Sequence, residues 1–150
     1  MRLVIQRVRN ASVDVAGERI NEIGIGLMIL VGVENGDTEQ DAEWLANKTA
    51  NMRIFPDDDG IMNRSIIDVK GEALAVSQFT LTASTKKGNR PSYIRAAGHD
   101  LAVPLYELFC NELGLLIGKD VKKGIFGADM QVNLVNDGPV TIIIDSRNRE

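Results

Sequence analysis

Eight consecutive residues, Gly26 to Val33 (GLMILVGV), carry no polar side chain and are bracketed by charged and turn-forming segments. A short apolar run flanked by glycine reads as a β-strand covered on both faces. Such a strand needs paired neighbours and a layer above and below, so the chain is expected to build a sheet around it. Gly24-Ile25-Gly26 resembles half of a dinucleotide fingerprint, but the strand that follows it, where that motif needs a helix, excludes it.

The remaining periodicity supplies the neighbours. Leu3, Ile5 and Val8 alternate with Arg2, Gln6, Arg7 and Arg9, the pattern of a half-buried strand. A second strand is expected over Ala11 to Val15, with a short return from Ile20 to Ile23. Glu72 to Ala83 (EALAVSQFTLTA) reads as one long strand. Met130, Val132 and Leu134 alternate on another, Asn136-Asp137-Gly138 signals a hairpin turn, and Val140 to Ile144 closes the sheet. Asp37 reads as the cap of a first helix with Gln40 in the capping-box position; Ala42, Leu45, Thr49 and Met52 share its apolar face, with Trp44 beside them. A second helix is expected from about Asp100, with Pro104 in its first turn, Leu105, Leu108 and Phe109 buried, and Gly114 as its stop. Asp57-Asp58-Asp59-Gly60 reads as a solvated turn, since the later ligands of a calcium loop are missing. The expectation is one α+β domain over residues 1–150, sheet-rich with seven or eight strands in a barrel-like or two-layer arrangement and two main helices packed outside.

Composition narrows the chemistry. With 44% hydrophobic and 25% charged residues among 150, the chain is globular in character. Seventeen basic against 21 acidic residues leave a net charge of −4, which excludes gripping long nucleic acid by bulk charge but leaves room for a local basic patch on a short end. One cysteine, Cys110, forms no internal disulfide and favours a reducing cytoplasm; it falls in a helical apolar pattern and reads as a small buried hydrophobe. Neither a signal peptide nor a membrane span is expected. A single histidine, His99, and a single cysteine supply no structural zinc site, so no metal is expected. His99 reads as a helix-entry residue.

Two segments break the bland pattern. Ser77-Gln78-Phe79-Thr80-Leu81 brings polar residues into an otherwise buried strand, where they meet each other, an edge or a ligand. On strand geometry Gln78 and Thr80 share one face, Ser77 and Phe79 the other. Asn136-Asp137-Gly138-Pro139 places a proline where a hairpin needs a ladder donor. Between Ala73 and His99 there is no acidic residue, yet Lys86, Lys87, Arg90 and Arg95 are present. Such a run suits phosphates or simply a solvated face.

Taken together, SQFTL and NDGPVT, with QRV near the start, KKGNRPS in the basic loop and GIFGADMQV before the last strands, resemble the D-aminoacyl-tRNA deacylase family. The likeness runs from Met1 to about Asp145; Ser84 and Tyr93 are less typical. It implies a homodimer, with active sites at the interface, that hydrolyses the ester of D-aminoacyl-tRNA at its 3′ acceptor end. Glycyl-tRNA mischarged on tRNA(Ala) is an expected further substrate, and no cofactor is implied. Carried onto this chain, Gly138 and Pro139 would form a cis-peptide wall in the partner's pocket that excludes L side chains, supported by Arg7. Ser77, Gln78, Phe79 and Thr80 would line the ester side, with backbone N–H groups near Phe79 as oxyanion donors. Thr80 has no evident base partner, which argues against a nucleophile. Lys86, Lys87 and Arg90 would meet tRNA phosphates. The competing readings are a nucleic-acid-binding module of the same fold without hydrolase activity, and a small-ligand binder.

Overall fold

The computed structural model describes residues 1–150. Eight strands and two helices follow in the order β1 (Arg2–Val15), β2 (Glu18–Ile23), β3 (Gly26–Gly32), α1 (Glu39–Asn51), β4 (Phe55–Pro56), β5 (Met62–Arg64), β6 (Glu72–Ser77), α2 (His99–Ile117), β7 (Lys122–Lys123) and β8 (Met130–Asp145). β1 organises the sheet. One of its sides pairs with β8 along almost its whole length; the other pairs with β3 over Arg2–Val8 and with β2 over Ala11–Val15. β3 continues through parallel pairs to β6 and then β7. The sheet curls until β7 approaches β2, where the Asn21 side chain donates to the Lys123 carbonyl at 2.6 Å. The result is a nearly closed, barrel-like sheet, as the α+β expectation required.

Period-2 alternation fills both sides of that sheet. Leu27, Ile29 and Val31 of β3, with Ala73 and Ala75 of β6, pack outward against Leu45 of α1 and Leu105, Phe109 and Leu113 of α2. Met28, Leu74 and Val76 face the other way and meet Val8, Ala11, Val13 and Ile23 inside the curl. The uninterrupted apolar run of β3 thus answers to two cores. Phe109 is fully buried, and truncating it to alanine should cost about 3–5 kcal/mol.

Several local expectations are corrected. Ala11–Val15 is not a separate strand but the continuation of β1. Thr38, not Asp37, caps α1: the Asp41 carboxylate accepts from the Thr38 amide at 2.8 Å, and Gln40 is not the box residue. Asp37 is taken elsewhere, its buried carboxylate pairing with the Met1 amino group at 2.7 Å and with Arg147 at 2.9 Å. α2 runs past Gly114 to Ile117 and ends on Gly118 in the left-handed region. Pro104 lies in its second turn, on an exposed face of the helix. The acidic turn at Asp57–Gly60 joins β4 to β5, the Asp57 carboxylate accepting from the amides of Asp59 and Ile61.

Two corrections touch the proposed site. β6 stops at Ser77, and Phe79–Thr82 forms a 3₁₀ turn, so Gln78 and Thr80 do not alternate with Ser77 and Phe79 on a strand. Asn136-Asp137-Gly138 is not a hairpin either. Both of its flanks lie in β8 and pair with the same strand, β1.

Candidate active site

The 3₁₀ turn follows from where the parallel ladder ends. The Gln78 amide makes a last bond to the Val31 carbonyl at 2.8 Å, and one residue later β3 reaches Gly32. A Cβ at Gly32 would lie 2.9 Å from the Leu81 Cβ and 3.1 Å from the Gln78 carbonyl, so glycine makes the room into which the chain folds. Leu81 then donates to the Gln78 carbonyl at 3.3 Å, and the buried Thr82 hydroxyl donates to the Phe79 carbonyl at 2.8 Å. The backbone N–H groups of Phe79 and Thr80 are left with no acceptor in the protein. Two adjacent free amides on a tight turn are the kind of donor pair that stabilises an oxyanion.

Ser77, Gln78 and Phe79 line a cavity of about 510 Å³. The Gln78 side-chain amide donates to the Thr80 hydroxyl at 2.5 Å, holding that hydroxyl from one side. No histidine or carboxylate hydrogen-bonds Thr80, so nothing in the chain is placed to deprotonate it. Phe79 is exposed and meets Tyr93 edge to face, with ring centres 5.1 Å apart.

The opposite wall holds residues that the sequence reading did not assign to the site. Ala96 and Ala97 approach from the basic segment, His99 and Ala102 from the start of α2, and Phe126 to Met130 from the connection into β8. His99 packs edge to face on Phe126 at 5.2 Å, beside Gly127, and it faces the cavity rather than the core. The sequence signal for this wall is GIFGADMQV, one of the segments that carries the family resemblance. Cys110 does lie buried in α2, where burial pushes its thiol up to about 12. Burial likewise raises the Tyr106 hydroxyl, which donates to the Ala75 carbonyl at 3.0 Å. No three His, Cys, Asp or Glu side chains gather into a group able to hold a metal.

Arg7, Gly138 and Pro139 form a second group, apart from that cavity. The β1–β8 register runs from Gln6 opposite Thr141 to Val8 opposite Asn136, so Asp137, Gly138, Pro139 and Val140 bulge out against the single residue Arg7. Arg7 is buried and ties the bulge down. Its Nε donates to the Asp137 carbonyl at 3.1 Å and its Nη1 to the Ile54 carbonyl at 2.6 Å. Asn136 closes the base, its side chain accepting from the Val140 amide and donating to the Thr141 hydroxyl, each at 3.1 Å. Gly138 has φ +124°, a conformation that L side chains rarely adopt, and the Gly138–Pro139 peptide is cis. Both residues are exposed, and neither lines the cavity of its own chain.

Lys86, Lys87 and Arg90 form a third group. All three are exposed and make no ion pair, and Lys86 and Lys87 border a shallow depression next to the 3₁₀ turn.

Residues 4–145 match the family model described as D-Tyr-tRNA(Tyr) deacylase. Over all 150 residues of both chains, the protein is 59% identical to a D-aminoacyl-tRNA deacylase of Parabacteroides distasonis and 59% identical to one of Porphyromonas gingivalis. A solved structure named c-Myc DNA Unwinding Element Binding Protein superposes with a TM-score of 0.91 at 41% identity, covering 97% of this chain and 98% of that one.

Proposed function

The chain belongs to the D-Tyr-tRNA(Tyr) deacylase family, and we propose that it hydrolyses the ester of D-aminoacyl-tRNA, releasing the free D-amino acid and tRNA. The observation that carries this reading is the 3₁₀ turn, which ends a buried strand at a cavity and leaves the Phe79 and Thr80 amides free. Water attacks the ester carbon, and the carbonyl oxygen takes up negative charge against those two donors. The bond to the ribose oxygen then breaks and that oxygen takes a proton. An aminoacyl ester is already activated, so positioning and oxyanion stabilisation suffice without a side-chain nucleophile. The neighbouring hydroxyl of the terminal ribose relays the proton, taking one from the attacking water as it passes its own to the leaving ribose oxygen. Gln78 and Ser77 orient the substrate, and Gln78 holds the Thr80 hydroxyl within the turn behind them.

In this reading the chain works as a homodimer in the cytoplasm. The exposed Gly138–Pro139 bulge of one protomer enters its partner's cavity, and its backbone carbonyls face the substrate's α-amino group. An L side chain collides with that wall. A D side chain points away and glycine has none, so glycyl-tRNA carried on tRNA(Ala) is hydrolysed too. Exclusion by backbone suits an enzyme that must accept many D-residues, since contacts to each side chain would need a separate fit. Lys86, Lys87 and Arg90 receive the acceptor-end phosphates. No helix of the protein is long and apolar enough to cross a membrane.

A second reading, a nucleic-acid-binding module of the same fold without hydrolysis, is favoured by the likeness to the structure named for binding a DNA element. Incubation with D-tyrosyl-, glycyl- and L-tyrosyl-tRNA separates the two. Release of free D-tyrosine and glycine but not L-tyrosine is expected; tRNA binding without any release would establish the module instead.

A further inference from the structure

We propose that Arg95 is a positioning residue for hydrolysis and not a reader of tRNA phosphates, an inference that rests on the deacylase reading above. Arg95 stands in the same basic segment as Lys86, Lys87 and Arg90, but its half-exposed guanidinium is engaged by groups of its own chain. Its Nη2 donates to the Thr82 carbonyl at 3.1 Å and lies 3.8 Å from the Glu34 carboxylate. Thr82 is the last residue of the 3₁₀ turn, and its hydroxyl is bonded to the Phe79 carbonyl at 2.8 Å. Arg95 therefore grips the far end of the turn whose near end presents the two free amides.

The backbone of Arg95 belongs to the facing wall. Its carbonyl accepts from the Asn35 amide at 2.9 Å, and the Ala97 amide donates to the Val33 carbonyl at 3.0 Å. The Asn35 side chain adds a bond to the Ile94 carbonyl at 3.3 Å. These bonds anchor Ala96 and Ala97, which line the cavity. One residue thus spans from the anchored wall to the oxyanion turn and sets the width between them.

Glu34 explains why the guanidinium stays. Its side chain is only 13% exposed, and its Oε1 has no hydrogen-bond donor; the nearest cations are Arg95 and, at 4.0 Å from the other oxygen, Arg147. A carboxylate so far removed from water is costly unless cations stay beside it. Swinging Arg95 out to a phosphate would strip Glu34 of one of its two partners and release Thr82.

The test is steady-state hydrolysis of D-tyrosyl-tRNA by Arg95→Ala, Arg95→Lys and Glu34→Gln, with KM measured across a salt series. The expected result for Arg95→Ala is a kcat lowered by about tenfold to a hundredfold, as for a displaced reacting geometry, with KM and its salt dependence unchanged. Arg95→Lys, which keeps a donor for Thr82 and a charge for Glu34, should recover most of the rate. Glu34→Gln should lower kcat in the same direction, and the double variant should be no slower than Arg95→Ala alone. An Arg95→Ala enzyme with wild-type kcat overturns the proposal, as does one whose loss lies in KM with a shallower salt dependence. Should Arg95→Ala not fold, an unchanged kcat in Glu34→Gln overturns it equally. An inactive wild type would instead overturn the deacylase reading itself.

Discussion

Arg7 and Gly138 face each other across the β1–β8 ladder so closely that a Cβ on Gly138 would begin 3.0 Å from the Arg7 guanidinium. The same Cβ would stand 3.0 Å from the Val140 side chain, and φ at Gly138 is +124°. Gly138→Ala therefore meets both backbone strain and a buried neighbour, and should destabilise the chain by about 1–3 kcal/mol in thermal or urea melts.

Arg7→Ala leaves the Asp137 and Ile54 carbonyls without their donor, each worth about 1–3 kcal/mol where buried. If the bulge is the wall that excludes L-residues, loosening it should raise hydrolysis of L-tyrosyl-tRNA relative to D-tyrosyl-tRNA. Equal loss on both substrates would make Arg7 a stabilising residue only.

Thr80→Ala should keep substantial deacylase activity, because the Thr80 hydroxyl is bonded to the Gln78 amide and to no base. Bulkier residues at Ser77 or Gln78 should do more harm, since both line the cavity. A loss of kcat for Thr80→Ala as complete as that expected of a missing nucleophile, with binding intact, would reverse this assignment.

What could be read from sequence was what depends on one element's own periodicity. β3 announced itself by an apolar run, and two packed faces are what that run serves. The NDGP bulge was misread because Asp-Gly is a hairpin signal judged locally. That both flanks pair with β1 is a property of a strand 130 residues away in the sequence, not of the turn residues. The 3₁₀ turn was likewise invisible: FTLT suits a strand, and the bend depends on where β3 stops and on the space at Gly32. Asp37 was misassigned because a cap residue is chosen by competition, and the Met1 amino group won its carboxylate. The second wall of the cavity, with His99 and Phe126, comes together only through the closure of the sheet. Family motifs marked that segment without saying what it faces.

Acid should loosen the site from outside. Burial raises Asp145, but the bonds it accepts from the Arg147 amide and from Arg2 outweigh that and hold it below the ordinary carboxylate value. A carboxylate depressed in the folded state adds stability above its unfolded pKa, and that contribution is lost as pH falls through the folded value. Arg2 also donates to the Leu81 carbonyl at 2.8 Å, so protonating Asp145 frees a side chain that steadies the 3₁₀ turn. The wild-type melting temperature should fall below about pH 4, and Asp145→Asn should start lower at pH 7 but lose less on acidification. Parallel curves for the two proteins would remove Asp145 from the acid response.

Lys86, Lys87 and Arg90, exposed and free of ion pairs, are the residues that the proposed function has releasing counterions from tRNA. Their triple alanine variant should bind tRNA more weakly and flatten the plot of log affinity against log salt by roughly 0.7–0.9 per lost contact. Selectivity between D- and L-tyrosyl-tRNA should not change, because these residues lie outside the cavity. An unchanged salt slope would make the loop a solvated face.

The remaining prediction asks whether a site is shared between two chains. Within one chain the Gly138–Pro139 bulge and the Ser77–Phe79 cavity are separate, so the proposed wall would come from a partner. Ser77→Phe spoils a cavity and leaves the bulge intact; Gly138→Phe spoils a bulge and leaves the cavity intact. Each variant alone should be inactive while retaining a folded circular-dichroism spectrum. Unfolded together and refolded as a mixture, they would, as the proposed homodimer, form mixed dimers in which one of the two sites combines the sound cavity of one chain with the sound bulge of the other. With random pairing, half the dimers are mixed and about a quarter of all sites are restored, so a rate near that fraction of wild type is expected. If cavity and bulge acted within a single chain, every site in the mixture would carry a defect and no activity would return. Recovery of activity on mixing therefore requires an interface site, and a mixture as inactive as its components excludes one.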